Sequence, residues 1–171
     1  MTTLKSLLVR AAALALAAAV LSGCGFQLRG SSGQYRMPFQ SIFLAFPDTS
    51  ALGTELKRNL RAGDAVAIES DPSKAQALFD VLSEQRGKSI LSLNSQGRVR
   101  EYLLTYTLVF RVRNASGTEL LAPTEISLKR NIAFNEAQVL AKEAEEALLY
   151  RDMQADLVQQ IMRRLAAIKP A

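Results

Sequence analysis

Between Val99 and Arg113 the chain changes character at every second residue. Tyr102, Leu104, Tyr106, Leu108, Phe110 and Val112 share one side, and Leu103, Thr105, Thr107, Val109, Arg111 and Arg113 share the other. Period two marks an extended strand, and at about 3.3 Å per residue this one runs roughly 45 Å. Asn114-Ala115-Ser116-Gly117 is a hairpin-type turn. The chain then returns over residues 120–134, interrupted by Pro123. Ile126, Leu128, Ile132 and Phe134 face one way there, with Arg130 standing among them. Two strands of this length commit the chain to an antiparallel hairpin whose apolar face needs cover.

The flanking segments supply that cover. Residues 41–46 form a short apolar run before Pro47, a strand candidate. Asp48-Thr49-Ser50 offers N-caps, and Leu52, Leu56 and Leu60 fall on one helical stripe. The spacing predicts a helix over about 51–62, with Gly63 as its stop. Residues 77–85 read as a strand with apolar groups on both sides. Gly87 punctuates it, residues 89–93 resume it, and Asn94-Ser95-Gln96-Gly97 turns. The last element is a helix of about 30 residues, started by Asn135 with Gln138 three later in a capping-box pattern. Glu136, Glu143, Glu145 and Glu146 load its beginning, and Arg163, Arg164 and Lys169 its end, which suits the helix dipole. Leu140, Ala144, Ala147 and Leu148 make an apolar stripe. Leu157, Val158, Ile161, Met162 and Leu165 continue it after a weaker patch at residues 150–152, where a kink or register drift fits. Pro170 cannot continue the helix. The expected fold is α+β: a two-layer sandwich in the order β-α-β-β-β-α. Its mostly antiparallel or mixed sheet has about four strands, two helices pack on one face, and the other face meets solvent or a partner.

The N-terminus says where such a domain works. Lys5 and Arg10 are followed by an uncharged apolar run at residues 11–21, then Leu21-Ser22-Gly23-Cys24. Basic start, short apolar core and small residues form a secretory signal, too short to span a bilayer. The cut-site residues resemble a bacterial lipobox, in which the thiol of Cys24 is acylated and the chain is cut before it. Cys24 is the one cysteine, so no disulfide forms within the chain and the core must hold the fold. Several acyl chains anchor firmly where one does not. Gly25 rather than Asp follows the cysteine; by resemblance to lipoprotein sorting, this favours the outer membrane. Three parts result: a cleaved signal at 1–23, an acylated tether at 24–38 that partly packs through Phe26, Leu28 and Tyr35, and one domain at 39–171.

Cutting before Cys24 leaves 148 residues, enough for one core, and loss of Lys5 and Arg10 lowers the net charge from +5 to +3. A mildly basic surface suits anionic partners, and equally an ordinary solvated surface. The chain has no His, and its one Cys is the acylation site. That removes the usual Ser-His and Cys-His nucleophiles and most transition-metal sites. No GxGxxG, Walker A or HExxH pattern occurs, and the acids show no pairing signature. The residues read as a non-enzyme with no cofactor, no metal and no nucleic-acid partner.

Several motifs together resemble the lipopolysaccharide-assembly lipoprotein family LptE. They are Cys24-Gly25-Phe26-Gln27-Leu28-Arg29-Gly30, Arg100-Glu101-Tyr102, Gly117 at the turn, Pro123 in the return strand, Leu140-Ala141-Lys142, Glu145-Glu146, Leu149-Tyr150 and Asp152-Met153. The resemblance covers essentially the whole chain after Gly23. It implies a plug inside the outer-membrane β-barrel LptD, paired 1:1, that binds lipopolysaccharide and helps deliver it to the outer leaflet. On that reading Lys142, Arg98, Arg100, Lys129 and Arg130 group at one end of the sandwich and meet lipopolysaccharide phosphates. The competing reading makes Arg98, Lys129 and Lys142 surface charges with partners such as Glu146, and Arg130 a buried stem paired with a glutamate of the last helix. A lipoprotein adaptor that binds another envelope protein through its open sheet face stays open, and so does a hydrolase built on paired acids.

Overall fold

The computed structural model describes residues 35–62 and 66–169. The lipobox with Cys24, the tether residues Phe26 and Leu28, and the helix stops Gly63 and Pro170 lie outside them. The order is β1 (Ser41–Ala45), α1 (Ala51–Ala62), β2 (Ala67–Glu69), β3 (Ala77–Leu93), β4 (Val99–Arg113), β5 (Glu119–Ala133) and α2 (Val139–Ala166). One mixed sheet runs β2-β1-β3-β4-β5. β1 pairs parallel with β2 and β3, while β3, β4 and β5 are antiparallel. The α+β sandwich stands, with five strands rather than four. The additional strand is β2, three residues long, and its parallel partner β1 is reached through α1 in a βαβ crossover.

The core lies between the sheet and the helices. From β4 it takes Leu104, Tyr106, Leu108, Phe110 and Val112, one side of the alternating run. Leu52, Leu56 and Leu60 of α1 and Met153, Leu157, Val158, Ile161, Met162 and Leu165 of α2 close over them. Phe79 stacks between Phe46 and Phe110, with ring centroids 5.5 and 4.7 Å away. Ser50 caps α1: its Oγ accepts from Gly53 N at 3.0 Å. Phe39 is buried and Tyr35 donates to Gln159, so the described end of the lead-in does pack on the domain.

Three expectations change in detail. Gly87 does not interrupt β3, which pairs with β4 on both sides of it. A Cβ there would lie 2.6 Å from Thr105 Oγ1, so the glycine makes room for a neighbouring side chain and does not mark a turn. Pro123 sits inside β5, an edge strand, where the register against β4 shifts by one residue between Leu121 and Thr124. Asn135 caps a short 3₁₀ turn, Glu136–Gln138, that leads into α2, and α2 itself runs unbroken for 28 residues. Its early stripe is not in the core: Val139, Leu140 and Leu148 are exposed.

Candidate functional site

The β3–β4 turn, the last residues of β5 and the first turns of α2 meet at one end of the sandwich. Asn94 builds the turn: its Oδ1 accepts from Gln96 N at 2.9 Å and Arg98 N at 3.0 Å, and Gly97 takes the positive φ of 76°. This aims Arg98 at Glu136, with Nη1 to Oε2 at 3.3 Å. Arg100 lies two residues into β4, and its carbonyl accepts from Phe134 N at 2.8 Å. Its guanidinium has no carboxylate within 4.0 Å among the described residues. Lys142, on the first turns of α2, donates to Glu145 at 2.8 Å. Beneath it is a cavity of about 230 Å³ floored by Tyr102, Ile132 and Phe134.

A fourth cation joins this end that the sequence reading did not single out. Lys88 of β3 shares the helix-covered face with Tyr102, lies 4.4 Å from that ring and bonds Glu146 at 2.5 Å. The bond to Glu146 raises the Lys88 amine above its ordinary pKa. Its signal was present in the strand alternation, but its partner is 58 residues away.

The other two candidates do not join the group, which corrects the expectation: Arg130 stands level with Lys88 across Leu104 but is bonded to Asp156. Lys129 stands opposite Thr105, on the face without helices and roughly 17 Å along the sheet from the level of Arg100. Arg130 is opposite Leu104 on the helix-covered face, and its Nη2 donates to Asp156 at 2.6 Å. Arg130 is therefore held by a helix carboxylate, an aspartate rather than the expected glutamate. Lys142 likewise bonds Glu145, not Glu146. Acids share the end of the sandwich too: Glu101, Glu136, Glu143, Glu145 and Glu146. The arrangement is a field of exchangeable ion pairs, not a bare basic patch.

Just inward lies a polar and aromatic layer. Arg86 stacks over Tyr106 at 4.5 Å and Tyr150 at 5.5 Å, and donates to Tyr106 Oη and Gln154 Oε1. Tyr106 donates to Glu84 at 2.6 Å, and Gln154 donates to Glu55 of α1 at 2.6 Å. Burial first, and then the bond to Glu84, push the Tyr106 phenol up to about 12. The layer ties both helices to the sheet, and its Tyr106 phenol stays protonated at physiological pH. At the opposite end Arg111 and Arg113 both donate through Nε to Asp80 Oδ2, at 3.0 and 2.7 Å. Among the described residues no group of His, Cys, Asp or Glu could hold a metal ion, and no helix is long and apolar enough to cross a membrane.

Residues 39–165 match the family LptE, described as lipopolysaccharide-assembly. The LPS-assembly lipoprotein LptE of Pectobacterium atrosepticum is 28% identical over 156 residues, spanning 91% of this chain and 83% of that protein. Among solved structures, the solution structure of lipoprotein B from Nitrosomonas europaea is 38% identical, with a TM-score of 0.71, over 84% of this chain and 91% of that one. A minor lipoprotein from Acinetobacter baumannii is 27% identical, with a TM-score of 0.62, over 75% of this chain and 92% of that one. The chain belongs to the LptE lipopolysaccharide-assembly family.

Proposed function

We propose that this chain is a non-enzymatic outer-membrane lipoprotein, acylated at Cys24 after loss of residues 1–23. It plugs the lumen of the β-barrel LptD as a 1:1 partner and binds lipopolysaccharide on its way to the outer leaflet. Residues 24–38 tether the domain at 39–171 to the membrane. One observation carries the ligand reading: the convergence of Arg98, Arg100 and Lys142 from separate elements on one end of the sandwich. Their present partners do not bar a ligand. Exposed ion pairs contribute only about 0–1 kcal/mol each, so a multiply charged phosphate can displace a single carboxylate. A plug suits the rest of the molecule as well, since a porin-type lumen is polar and asks for a rigid, polar insert.

The test is direct binding of purified lipopolysaccharide to the wild-type domain and to Arg98→Glu with Lys142→Glu. Losing charge-assisted hydrogen bonds of about 1.5–3 kcal/mol weakens binding by roughly tenfold or more. Arg98 is well exposed but the Lys142 side chain is only 20% exposed, so each single variant is melted alongside and affinities are compared between folded proteins only. Equal affinity for the two proteins would discard this end as the ligand site.

A further inference from the structure

Charge is not spread evenly along the domain. Gln154 of α2 meets Glu55 of α1, and Gln159 meets Asn59, so the two helices run in the same direction and end together. Those ends are basic. After Glu55, α1 carries Lys57, Arg58 and Arg61 and no acid, and after Asp156 the chain carries Arg163, Arg164 and Lys169 and no acid. Arg58 bonds Glu55, whereas the other five pair with no carboxylate among the described residues. Acids of neighbouring elements do not cancel this. Asp48 and Glu69 line a cavity with Lys57 and Arg61 without pairing to them, and Asp80 is taken by Arg111 and Arg113. Even with Asp64, which lies outside the described residues, the acids are outnumbered. The two helix dipoles offset only about half a charge each. The far end of the sandwich is the reverse, with Glu101, Glu136, Glu143, Glu145 and Glu146 crowding its cations. The chain also enters at the positive pole. Tyr35 donates to Gln159, one turn before Arg163, and Phe39 lines a cavity with Ile168 and Lys169. Cys24 stands eleven residues ahead of Tyr35, a leash of at most about 40 Å. Residues 24–34 hold Arg29 and no acid.

We infer that the helix ends carrying Lys57, Arg61, Arg163, Arg164 and Lys169 rest on anionic lipid headgroups of the leaflet that holds the acyl anchor. The choice of a lipid surface rests on the acylation of Cys24, and not on the ligand site at the other end. A bilayer is the occupant because the cations come from two helix ends side by side and spread over a surface instead of converging on one point. Each basic residue gains from an anionic leaflet only within a Debye length, about 8 Å at physiological salt. A short acylated leash supplies that closeness. The acyl chains then hold the domain near the leaflet, and the cations orient it. Repulsion of Glu136, Glu143 and Glu145 from the same surface turns the end with Arg98 and Lys142 away from it.

The experiment floats the chain, without residues 1–23 and with Cys24→Ser so that no acyl group contributes, on vesicles. One set is phosphatidylglycerol and phosphatidylcholine in equal parts, and the other is phosphatidylcholine alone. A basic end of this kind floats with the mixed vesicles only, and is released in about 0.5 M salt, where the Debye length falls to about 4 Å. Each cation at an anionic surface strengthens partitioning roughly fivefold, so Arg61→Gln with Arg163→Gln should weaken it about 25-fold. Lys57→Gln with Lys169→Gln should do the same, which guards against a disturbed helix in the first pair. Lys129→Gln with Arg151→Gln removes the same charge more than a Debye length away and should change partitioning by less than about twofold. Equal flotation on both vesicles, flotation on neither, or an equal loss from the last pair overturns the inference. The acylation reading is judged separately, by the mass of the Cys24 peptide from membrane-extracted protein. An unmodified Cys24 beside intact flotation sinks the anchor alone, and an acylated Cys24 without flotation sinks the basic end alone.

Discussion

Leu157→Ala and Leu140→Ala remove the same atoms from the same helix, and they should behave oppositely. Leu157 is fully buried among sheet and helix residues in the second half of α2, while Leu140 is the most exposed large apolar side chain described. Truncating a buried leucine loses its transfer energy and leaves a cavity, together about 3 kcal/mol within a range of roughly 2–5. At roughly 3 °C per kcal/mol for a domain near 150 residues, Leu157→Ala should lower the melting temperature by about 10 °C. Leu140→Ala removes little buried surface and gains slightly in helix propensity, so it should stay within about 0.5 kcal/mol, or 2 °C, of the parent. Calorimetry or thermal circular dichroism on the non-lipidated domain reads both. Equal losses for the two variants would refute the division of α2 into a buried half and a bare half.

Other outcomes follow from single contacts. Burial pushes the Asp80 carboxyl up, but hydrogen bonds from Arg113 and Arg111 outweigh it and hold Asp80 below the ordinary carboxylate pKa. A depressed folded pKa stabilises the domain above the unfolded value of about 4, and that stabilisation is lost as pH falls through the folded value. Asp80→Asn should therefore flatten the acid limb of stability against pH below about 4; an unchanged limb would mean the arginines do not bind the carboxylate. Gly53→Ala should destabilise by about 1 kcal/mol despite better helix propensity, because its Cβ would lie 2.7 Å from Phe46 Cβ and press on the Phe46–Phe79 stack. Urea unfolding checks this, and a stabilised variant would show that Phe46 moves freely.

Local signals carried furthest where the physics is local. The helix over 51–62 was legible to the residue, because Ser50 caps it and Leu52, Leu56 and Leu60 need only each other's spacing. The strand at 99–113 was equally legible, because period two requires no knowledge of partners. β2 was not: three residues carry no period, and they form a strand only through β1, which precedes them by more than twenty residues. Gly87 looked like punctuation because the Thr105 side chain that fills its space comes from another strand. The stripe of α2 is apolar along most of its length, but which part of it is buried is decided by contacts distant in the chain. The cations show the same limit. Arg98, Arg100 and Lys142 lie at one end of the sandwich, but Arg130 finds Asp156 and Lys88 finds Glu146 across the fold, and strand parity sends Lys129 to the opposite face.

The central claim is a lipoprotein plug paired one-to-one with a barrel, and purification of the tagged, acylated chain from outer membranes in mild detergent tests it most directly. Mass spectrometry and quantified band intensities should return LptD in equal molar amount, with recovery from the membrane lost in Cys24→Ser, which removes the acylated thiol. Recovery of the chain alone, or with soluble partners only, would contradict the plug.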